Sequence, residues 1–303
     1  MRRRAALGAD APQLNVLLRH RDVELGSVTV RARVPFRRED VPLLEELAAR
    51  ASVAIENAQL YEREHRVAVT LQRAMLPAVL PHAEGLTFDA VYFPGATEAE
   101  IGGDWYDAIA LGDGRVVVSI GDVTGRGLTA AVIMGRIRQA IETLAMYESD
   151  PVRLLDAADG VLRRAHPDAI VTALVGVVDP AARTMTYATA GHPTPIVRAP
   201  DGTIGQLFGR GLPLGLRDSS PEPAITVALA PSSLVVFFTD GLVESTRDIQ
   251  EGERRVFAAL ADDEVATGRA PAAALVARVL DGGVRDDVAV LTFRLADAPS
   301  AAS

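Results

Sequence analysis

Residues 115–128 read Arg-Val-Val-Val-Ser-Ile-Gly-Asp-Val-Thr-Gly-Arg-Gly-Leu. This stretch places an apolar strand, a glycine-rich turn and the start of a helix in direct succession. The run of valine and isoleucine is typical of a buried strand. The glycines that follow let the backbone turn tightly, so a peptide carbonyl can face inward beside the carboxylate of Asp122. We therefore predict that Asp122 stands at a strand end and that a helix begins near Leu128.

Three further aspartates stand in comparable places. Asp240 follows the apolar run Leu234–Thr239, Asp286 precedes the strand-like run Val288–Leu295, and Asp104 follows two glycines. If these strands are neighbours, their carboxylates meet at one sheet edge. Carboxylates in such turns can converge on hard divalent cations, which prefer oxygen ligands. Each turn alone is more often structural, because turns require Asp and Gly, but the combination indicates metal-assisted hydrolysis.

The composition excludes several classes of protein. The chain has 303 residues, a net charge of −9 and no cysteine. Its length allows two domains, or one large core with an appendage. Without cysteine there is no disulfide framework, thiolate zinc site or cysteine nucleophile. The acidic balance argues against a nucleic-acid partner, because phosphate backbones are held by clustered Lys and Arg.

The sequence predicts neither export nor a membrane span. The basic start, Met1–Arg4, is not followed by the apolar stretch of a secretory signal. The longest apolar stretch, Ala224–Phe238, is broken by Pro231 and two serines. We therefore expect a soluble, cytoplasmic protein with no membrane partner.

Strands dominate the chain beyond Pro77 and Pro81. The predicted helices there are Leu128–Tyr147, Val152–Arg164 and Ala272–Leu280. The predicted strands are Phe88–Phe93, Asp104–Leu111, Arg115–Ile120, Ile170–Val178, Thr184–Thr189, Ile196–Ala199, Ile225–Leu229, Leu234–Thr239 and Val288–Leu295. Runs of strands with inserted helices predict an α+β fold, with packed sheets inside and helices outside.

The N-terminal part is organised differently. Two short runs, Leu14–Leu18 and Leu25–Val30, are predicted strands, and a helix follows from about Glu39. Between Leu44 and Tyr61 the apolar residues of this helix repeat at heptad spacing. The helix is either one amphipathic helix of its own domain or a linker that pairs with a second copy in a homodimer.

Six segments, in this order, resemble the PP2C-type phosphatases of the stage II sporulation protein E and RsbU group. They are Ile101–Asp107, Gly121–Leu128, Ala190–Pro193, Leu212–Gly215, Thr239–Glu244 and Arg285–Val290, and the resemblance covers residues 66 to 295. It implies a PP2C-like β-sandwich with α/β/β/α layers at 83–296, a helical linker at 63–82 and a disordered tail at 297–303. It also implies two Mn²⁺ or Mg²⁺ ions and hydrolysis of phosphoserine or phosphothreonine on a regulatory protein. We expect that partner to be an anti-anti-sigma factor in a partner-switching pathway.

The resemblance carries site roles over to particular residues. It makes Asp122 the carboxylate that bridges both metal ions, with the Val123 carbonyl as a further ligand. Asp240 and Asp286 match ligands of one ion, and Asp104 matches the acidic position serving the other. Asp122 and Asp240 are therefore also the expected catalytic residues.

The roles of four further positions are left open by the resemblance. Asp107 and Asp287 are expected to support the ligands or to replace Asp104 and Asp286 as ligands. Arg126 stands where many relatives have histidine, and we expect it to help attract phosphate. His192 is either a general acid or a turn residue that holds a loop.

The stretch from Leu14 through Tyr61 resembles the closing strands and last helix of a GAF sensory domain. Arg38-Glu39-Asp40 and Ala54–Ala58 carry this resemblance. We expect residues 1–62 to be such a remnant, left by truncation or a misassigned start codon, rather than a working ligand pocket.

Two alternative functions remain. A phosphatase-like regulatory binding module would dock a partner with little or no turnover. A different carboxylate-metal hydrolase, such as a nuclease, is disfavoured by the acidic balance.

Overall fold

The chain divides into two compact units, residues 1–67 and 68–303, with the boundary inside a long helix. The computed structural model describes residues 11–21, 23–95, 102–217, 222–246, 248–280 and 286–296. Residues 297–303, for which a disordered tail is predicted, lie outside the described residues.

The N-terminal unit is a β-hairpin followed by the first part of the long helix. Strands β1 (Gln13–His20) and β2 (Val23–Arg31) pair antiparallel, and helix α1 spans Asp40–Met75. Within this unit Leu18, Ala48 and Ser52 are buried. The two predicted strands and the predicted helix are thus confirmed.

The C-terminal unit contains the remaining elements. In chain order they are β3 (Leu86–Phe93), β4 (Trp105–Ala110), β5 (Val116–Val123), α2 (Leu128–Ala145), α3 (Pro151–Ala165), β6 (Val171–Asp179), β7 (Thr184–Ala190), β8 (Ile196–Arg198), β9 (Ile204–Gln206), β10 (Ile225–Ala228), β11 (Leu234–Phe238), α4 (Gly241–Glu244), α5 (Ile249–Ala261), α6 (Asp263–Thr267), α7 (Pro271–Val279) and β12 (Val288–Leu295).

The strands of this unit form two antiparallel five-stranded sheets. One sheet has the order β10-β7-β6-β5-β4, and the other has the order β3-β12-β11-β8-β9. Their facing sides form one core, in which Ile120 and Leu174 of the first sheet pack with Phe237 and Phe293 of the second. Strand alternation sends every second residue of each strand into this inter-sheet core.

Helices cover both outer faces of the sandwich. Helices α2 and α3 pack on the first sheet through residues such as Ile137 and Leu155. Helices α4 to α7 pack on the second sheet, with Val256 and Leu275 in that core. The expected α+β fold with α/β/β/α layers is therefore confirmed.

All predicted strands and helices of this unit are confirmed, with bounds that differ by a few residues. Strand β9 and helices α4, α5 and α6 were not predicted. In the first turn of α5, Gly252 looks like a helix breaker. Its lack of a side chain has a packing reason, because a Cβ there would lie 1.9 Å from the carbonyl oxygen of Val243. Asp248 caps this helix by accepting from the backbone N–H of Gln250 at 3.0 Å.

Across the part of the chain that the structure describes, no helix combines the length and apolar character needed to cross a membrane.

Candidate metal centre

Strand β5 delivers Asp122 to one end of the inter-sheet core. Val118 and Ile120 face that core, and Asp122 continues the same side of the strand at its open end. The preceding Gly121 has no room for a side chain, because a Cβ would lie 2.1 Å from the ring of the buried Trp105. Close packing against Trp105 therefore requires glycine beside the carboxylate.

The second sheet brings two more strand ends to the same place. Strand β11 ends before Thr239 and Asp240, and β12 begins after Asp287. A Cβ on Gly241 would lie 2.0 Å from the carbonyl oxygen of Asp287, so the two strand ends approach at backbone distance. The Thr239 hydroxyl also accepts the N–H of Ala289 at 2.9 Å. These contacts hold Asp240 next to the start of β12.

Asp104 and Asp122 form the centre of the site. Asp104 is buried, and its carboxyl group is hydrogen-bonded to that of Asp122 and to Thr239. Burial and the charge of Asp122 raise the pKa of Asp104 well above its usual range. Burial raises the pKa of Asp122 to about 6, reinforced by the charge of Asp240 and opposed by the hydrogen bond from Asp104. The carboxyl groups of Asp104 and Asp122 are therefore in direct contact at the centre of the site.

Asp240 and Asp286 extend this acidic group toward solvent. The pKa of Asp240 is raised by burial and by the nearby charge of Asp286, which also acts on Asp122. Asp286 is half exposed, and its Oδ2 receives a hydrogen bond from the Arg126 guanidinium at 2.9 Å. The predicted ligands Asp104, Asp122, Asp240 and Asp286 are thus brought to one end of the sandwich.

Asp287 is held by neighbouring groups. Its carboxylate accepts the Tyr92 hydroxyl at 2.8 Å and the N–H of Gly95 at 2.8 Å. A Cβ on Gly102 would lie 0.8 Å from its Oδ2. Gly102 therefore leaves the space that Asp287 occupies. Sequence reasoning missed Tyr92, because a tyrosine within a strand carries no signal for such a contact.

Asp107 is not part of this group, which corrects the expectation that it supports or replaces Asp104. Its strand neighbours Trp105 and Ile109 pack toward the helices, on the opposite side of β4 from the inter-sheet core. Its carboxylate accepts the guanidinium of Arg138 on α2 at 2.6 Å. Burial raises the pKa of Asp107, and the Arg138 charge opposes this shift. Asp104 and Asp107 belong to one sequence motif, yet their carboxylates lie on opposite sides of β4.

His192 is buried in a loop and is held there by hydrogen bonds to two threonines. Its Nδ1 lies 3.0 Å from the Thr172 hydroxyl, and its backbone N–H donates to the Thr189 hydroxyl at 3.1 Å. Burial lowers the pKa of His192 to about 3. A general acid must carry a proton near neutral pH, so this environment favours the role of loop residue.

The carboxylate group fits divalent cations by its donor chemistry. No group of three or more His, Asp or Glu side chains in the described ranges is already arranged around a common ion position. However, Oδ2 of Asp104 is buried without a hydrogen-bond partner. A buried acceptor without a donor is costly, and a bound cation would take the place of the missing donor. An oxygen-only donor set suits Mg²⁺ and Mn²⁺. Val123 is also buried there, and its backbone N–H donates to the Gly103 carbonyl at 3.3 Å.

Comparison with known proteins supports this description. The family model "Stage II sporulation protein E (SpoIIE)" matches residues 112–296. Phosphoserine phosphatase RsbU of Bacillus subtilis is 26% identical over 189 residues, which cover 61% of this chain and 55% of RsbU. The chain spans between 34% and 55% of the length of the curated relatives it matches.

Solved structures share the fold. The RsbU and RsbW domains of Rv1364c from Mycobacterium tuberculosis align with a TM-score of 0.66 and 28% identity, covering 75% of this chain and 64% of that chain. The catalytic domain of the serine threonine protein phosphatase PstP, in complex with two manganese ions, aligns with a TM-score of 0.53 and 19% identity over 70% of this chain and 99% of that chain. At that identity the second likeness concerns the fold alone. Because the family model matches more than half of its residues, the chain belongs to the stage II sporulation protein E (SpoIIE) family and carries its PP2C-type phosphatase domain.

Proposed function

We propose that the chain is a metal-dependent protein serine/threonine phosphatase. The observation that carries this proposal is the hydrogen-bonded pair Asp104 and Asp122, joined by Asp240 and Asp286 at one end of the sandwich. Such a group of carboxylates is costly to assemble without cations, because neighbouring like charges raise one another's pKa. The similarity to phosphoserine phosphatase RsbU and to the structure of the RsbU and RsbW domains of Rv1364c supports the same activity.

Each residue has a distinct part in this proposal. Asp122 would bridge two Mn²⁺ or Mg²⁺ ions with the Val123 carbonyl as a further ligand, while Asp240 and Asp286 serve one ion and Asp104 the other. When bound, such a pair of ions supplies an activated water and neutralises charge on a phosphoryl group. Tyr92 and Gly95 would keep Asp287 fixed beside the ligands.

We further propose phosphoserine or phosphothreonine on a regulatory protein as the substrate, specifically on an anti-anti-sigma factor in a partner-switching pathway. Support comes from the name of RsbU, a phosphoserine phosphatase, and from the alignment with the RsbU domain of Rv1364c. Phosphate release from a panel of phosphorylated anti-anti-sigma proteins tests this assignment. Turnover of small phosphate esters without turnover of any panel member would refute the substrate but leave the chemistry standing.

Removal of a ligand tests the activity itself. Asp122→Asn and Asp240→Asn should each lower Mn²⁺-dependent hydrolysis of p-nitrophenyl phosphate by more than about 100-fold, since even supporting groups of a metal site contribute 10–100-fold. Asp113→Asn is the matched control, because Asp113 lies on the exposed hairpin at the other end of β5 and pairs with Arg115.

Thermal unfolding gives a second readout. Mn²⁺ at 100 times its Kd should stabilise the native protein by about 2.7 kcal/mol, and both site variants should lose most of this gain. Near-normal rates together with an unchanged Mn²⁺ effect in both variants would contradict the metal assignment.

A regulatory binding module with little or no turnover is the alternative function. A binding module would have the same fold and the same partner as a phosphatase, so only the release of phosphate distinguishes the two functions. If the protein binds a phosphorylated partner but releases no phosphate at any Mn²⁺ or Mg²⁺ concentration, this alternative replaces the phosphatase.

We also propose that residues 1–62 belong to a GAF-like domain and that the chain forms a homodimer through the Leu44–Tyr61 helix. The pattern supports this pairing, because Leu47 is 53% exposed and Ala54 and Ala58 are exposed on the same predicted seam.

A further inference from the structure

Arg126 stands at the open rim of the carboxylate group. It is flanked by Gly125 and Gly127, which have φ values of +108° and +90°. Backbone in this region favours glycine, so the turn that carries Arg126 depends on both neighbours. The turn directly follows Asp122 and Val123 of β5. The sequence therefore projects a guanidinium from the segment that also delivers the central carboxylate.

The guanidinium is paired with one of the expected ligands. Nη2 of Arg126 lies 2.9 Å from Oδ2 of Asp286, and both side chains are about half exposed, at 43% and 51%. The other oxygen of Asp286 accepts the backbone N–H of Asp287 at 2.9 Å. Asp286 also raises the pKa of Asp240 and Asp122, so it lies within electrostatic reach of both. Arg126 is thus close to the centre yet open to solvent.

We propose that Arg126 binds the phosphoryl oxygens of the substrate and that Asp286 is its partner when no substrate is bound. This inference rests on the proposed phosphatase function and assigns the residue that recognises the phosphate. The planar guanidinium can donate two parallel hydrogen bonds to phosphate oxygens. A phosphomonoester carries more negative charge than one carboxylate and therefore competes well for Arg126.

The ion pair between Arg126 and Asp286 is suited to replacement of Asp286 by phosphate. Exposed ion pairs are weak, because solvent screens them and long side chains lose entropy when they pair. When Asp286 also serves as a cation ligand, its carboxylate attracts the Arg126 guanidinium less strongly. Arg126 then remains beside the site, within reach of an incoming phosphate.

Phosphate binding tests the proposal without relying on turnover. Inorganic phosphate is titrated into Mn²⁺-saturated wild-type, Arg126→Gln and Arg126→Lys proteins by calorimetry. Arg126→Gln should weaken phosphate binding by about 10–100-fold, the worth of charge-assisted hydrogen bonds. Arg126→Lys keeps the positive charge but lacks the planar guanidinium. Its phosphate affinity should therefore lie between those of the wild type and Arg126→Gln. KM for a phosphopeptide should rise by a similar factor, with a smaller change in kcat.

For Mn²⁺ binding, titrated into the metal-free protein, we expect the substitution to have the opposite effect. Arg126→Gln removes a positive charge from the cation site, so Mn²⁺ should bind a few-fold more tightly. Arg115→Gln is the matched control: Arg115 also pairs with an exposed aspartate, Asp113, at 2.7 Å, but at the opposite end of β5. It should change neither phosphate nor Mn²⁺ affinity.

The outcomes separate this inference from the proposed function. Unchanged phosphate affinity and KM in Arg126→Gln would overturn the role of Arg126 even if the enzyme is active. A fall in kcat at unchanged KM would also overturn it. If wild-type protein releases no phosphate from any substrate, the proposed function fails, and phosphate binding alone then decides the role of Arg126.

Discussion

Single residues in this protein take their roles from the side of the strand on which they lie. Asp122 joins Val118 and Ile120 on the inter-sheet side of β5 and so enters the carboxylate group. His192 illustrates the opposite case, a titratable residue whose pKa is lowered to about 3 by burial. Chemistry at both positions follows from environment rather than from residue type.

His192 predicts a particular dependence of stability on pH. Its pKa is lowered to about 3 in the folded protein, against about 6.5 in an unfolded chain. The unfolded state therefore takes up the proton first, and stability that is present above pH 6.5 is lost as pH falls toward 3. Between pH 6.5 and 5 this loss is about 2 kcal/mol, from 1.36 kcal/mol per pKa unit.

Comparison with His192→Gln isolates this effect. Urea unfolding at pH 7 and pH 5 should show a smaller loss of stability in the variant than in the wild type. His82→Gln, at an exposed position, should behave like the wild type. Equal losses in all three proteins would show that His192 is not buried as a neutral group.

At the scale of elements, β4 and α2 form a second polar contact behind the metal centre. Arg138 of α2 pairs with Asp107 of β4, and the exposed fractions of these side chains are only 15% and 5%. Glu142 lies one helical turn further along α2 and contacts the same guanidinium at 3.6 Å. This contact ties the helix layer to the strand that follows Asp104.

Removing one partner of this buried pair should cost stability rather than metal binding. Arg138→Ala leaves the Asp107 carboxylate buried without its partner and should destabilise the protein by about 3 kcal/mol. Asp107→Asn should lower stability and leave Mn²⁺ affinity unchanged, because Asp107 faces away from the site.

Denaturant unfolding and Mn²⁺ titration measure the two effects separately. Arg136→Ala is the control, since Arg136 is exposed on the same helix. A large loss of Mn²⁺ affinity in Asp107→Asn would restore Asp107 as a supporter of the ligands.

At the scale of the whole molecule, pairing of two sheets creates the site. Asp104, Asp122, Asp240 and Asp286 come from four strand ends, two in each sheet. No single sheet contains the complete group. The N-terminal unit is a separate compact body, and its contribution is expected through self-association.

The proposed homodimer makes the assembly state testable. Leu47→Glu places a charge on the heptad seam of α1 and should shift the protein from dimer to monomer, because apolar a and d positions hold such pairs. Val53→Glu is the matched control, since Val53 is also exposed on α1 but lies off the seam. Light scattering across a concentration series measures the mass. A wild-type monomer at all concentrations would contradict the dimer.

The sequence determined the local features of this protein. Valine-rich runs predicted the buried strands, glycine-flanked aspartates predicted the strand ends, and their ordered combination identified the family. Residues 249–261 escaped prediction because the glycine that interrupts the helical pattern is explained only by the backbone of α4.

Tertiary structure decided the contacts of the residues whose roles the resemblance left open. Asp104 and Asp107 stand in one motif, yet strand alternation sends one to the centre and the other to Arg138. The partnership of Arg126 with Asp286 joins residues 160 positions apart. Such contacts depend on which strands become neighbours, and sequence spacing carries no information about that distance.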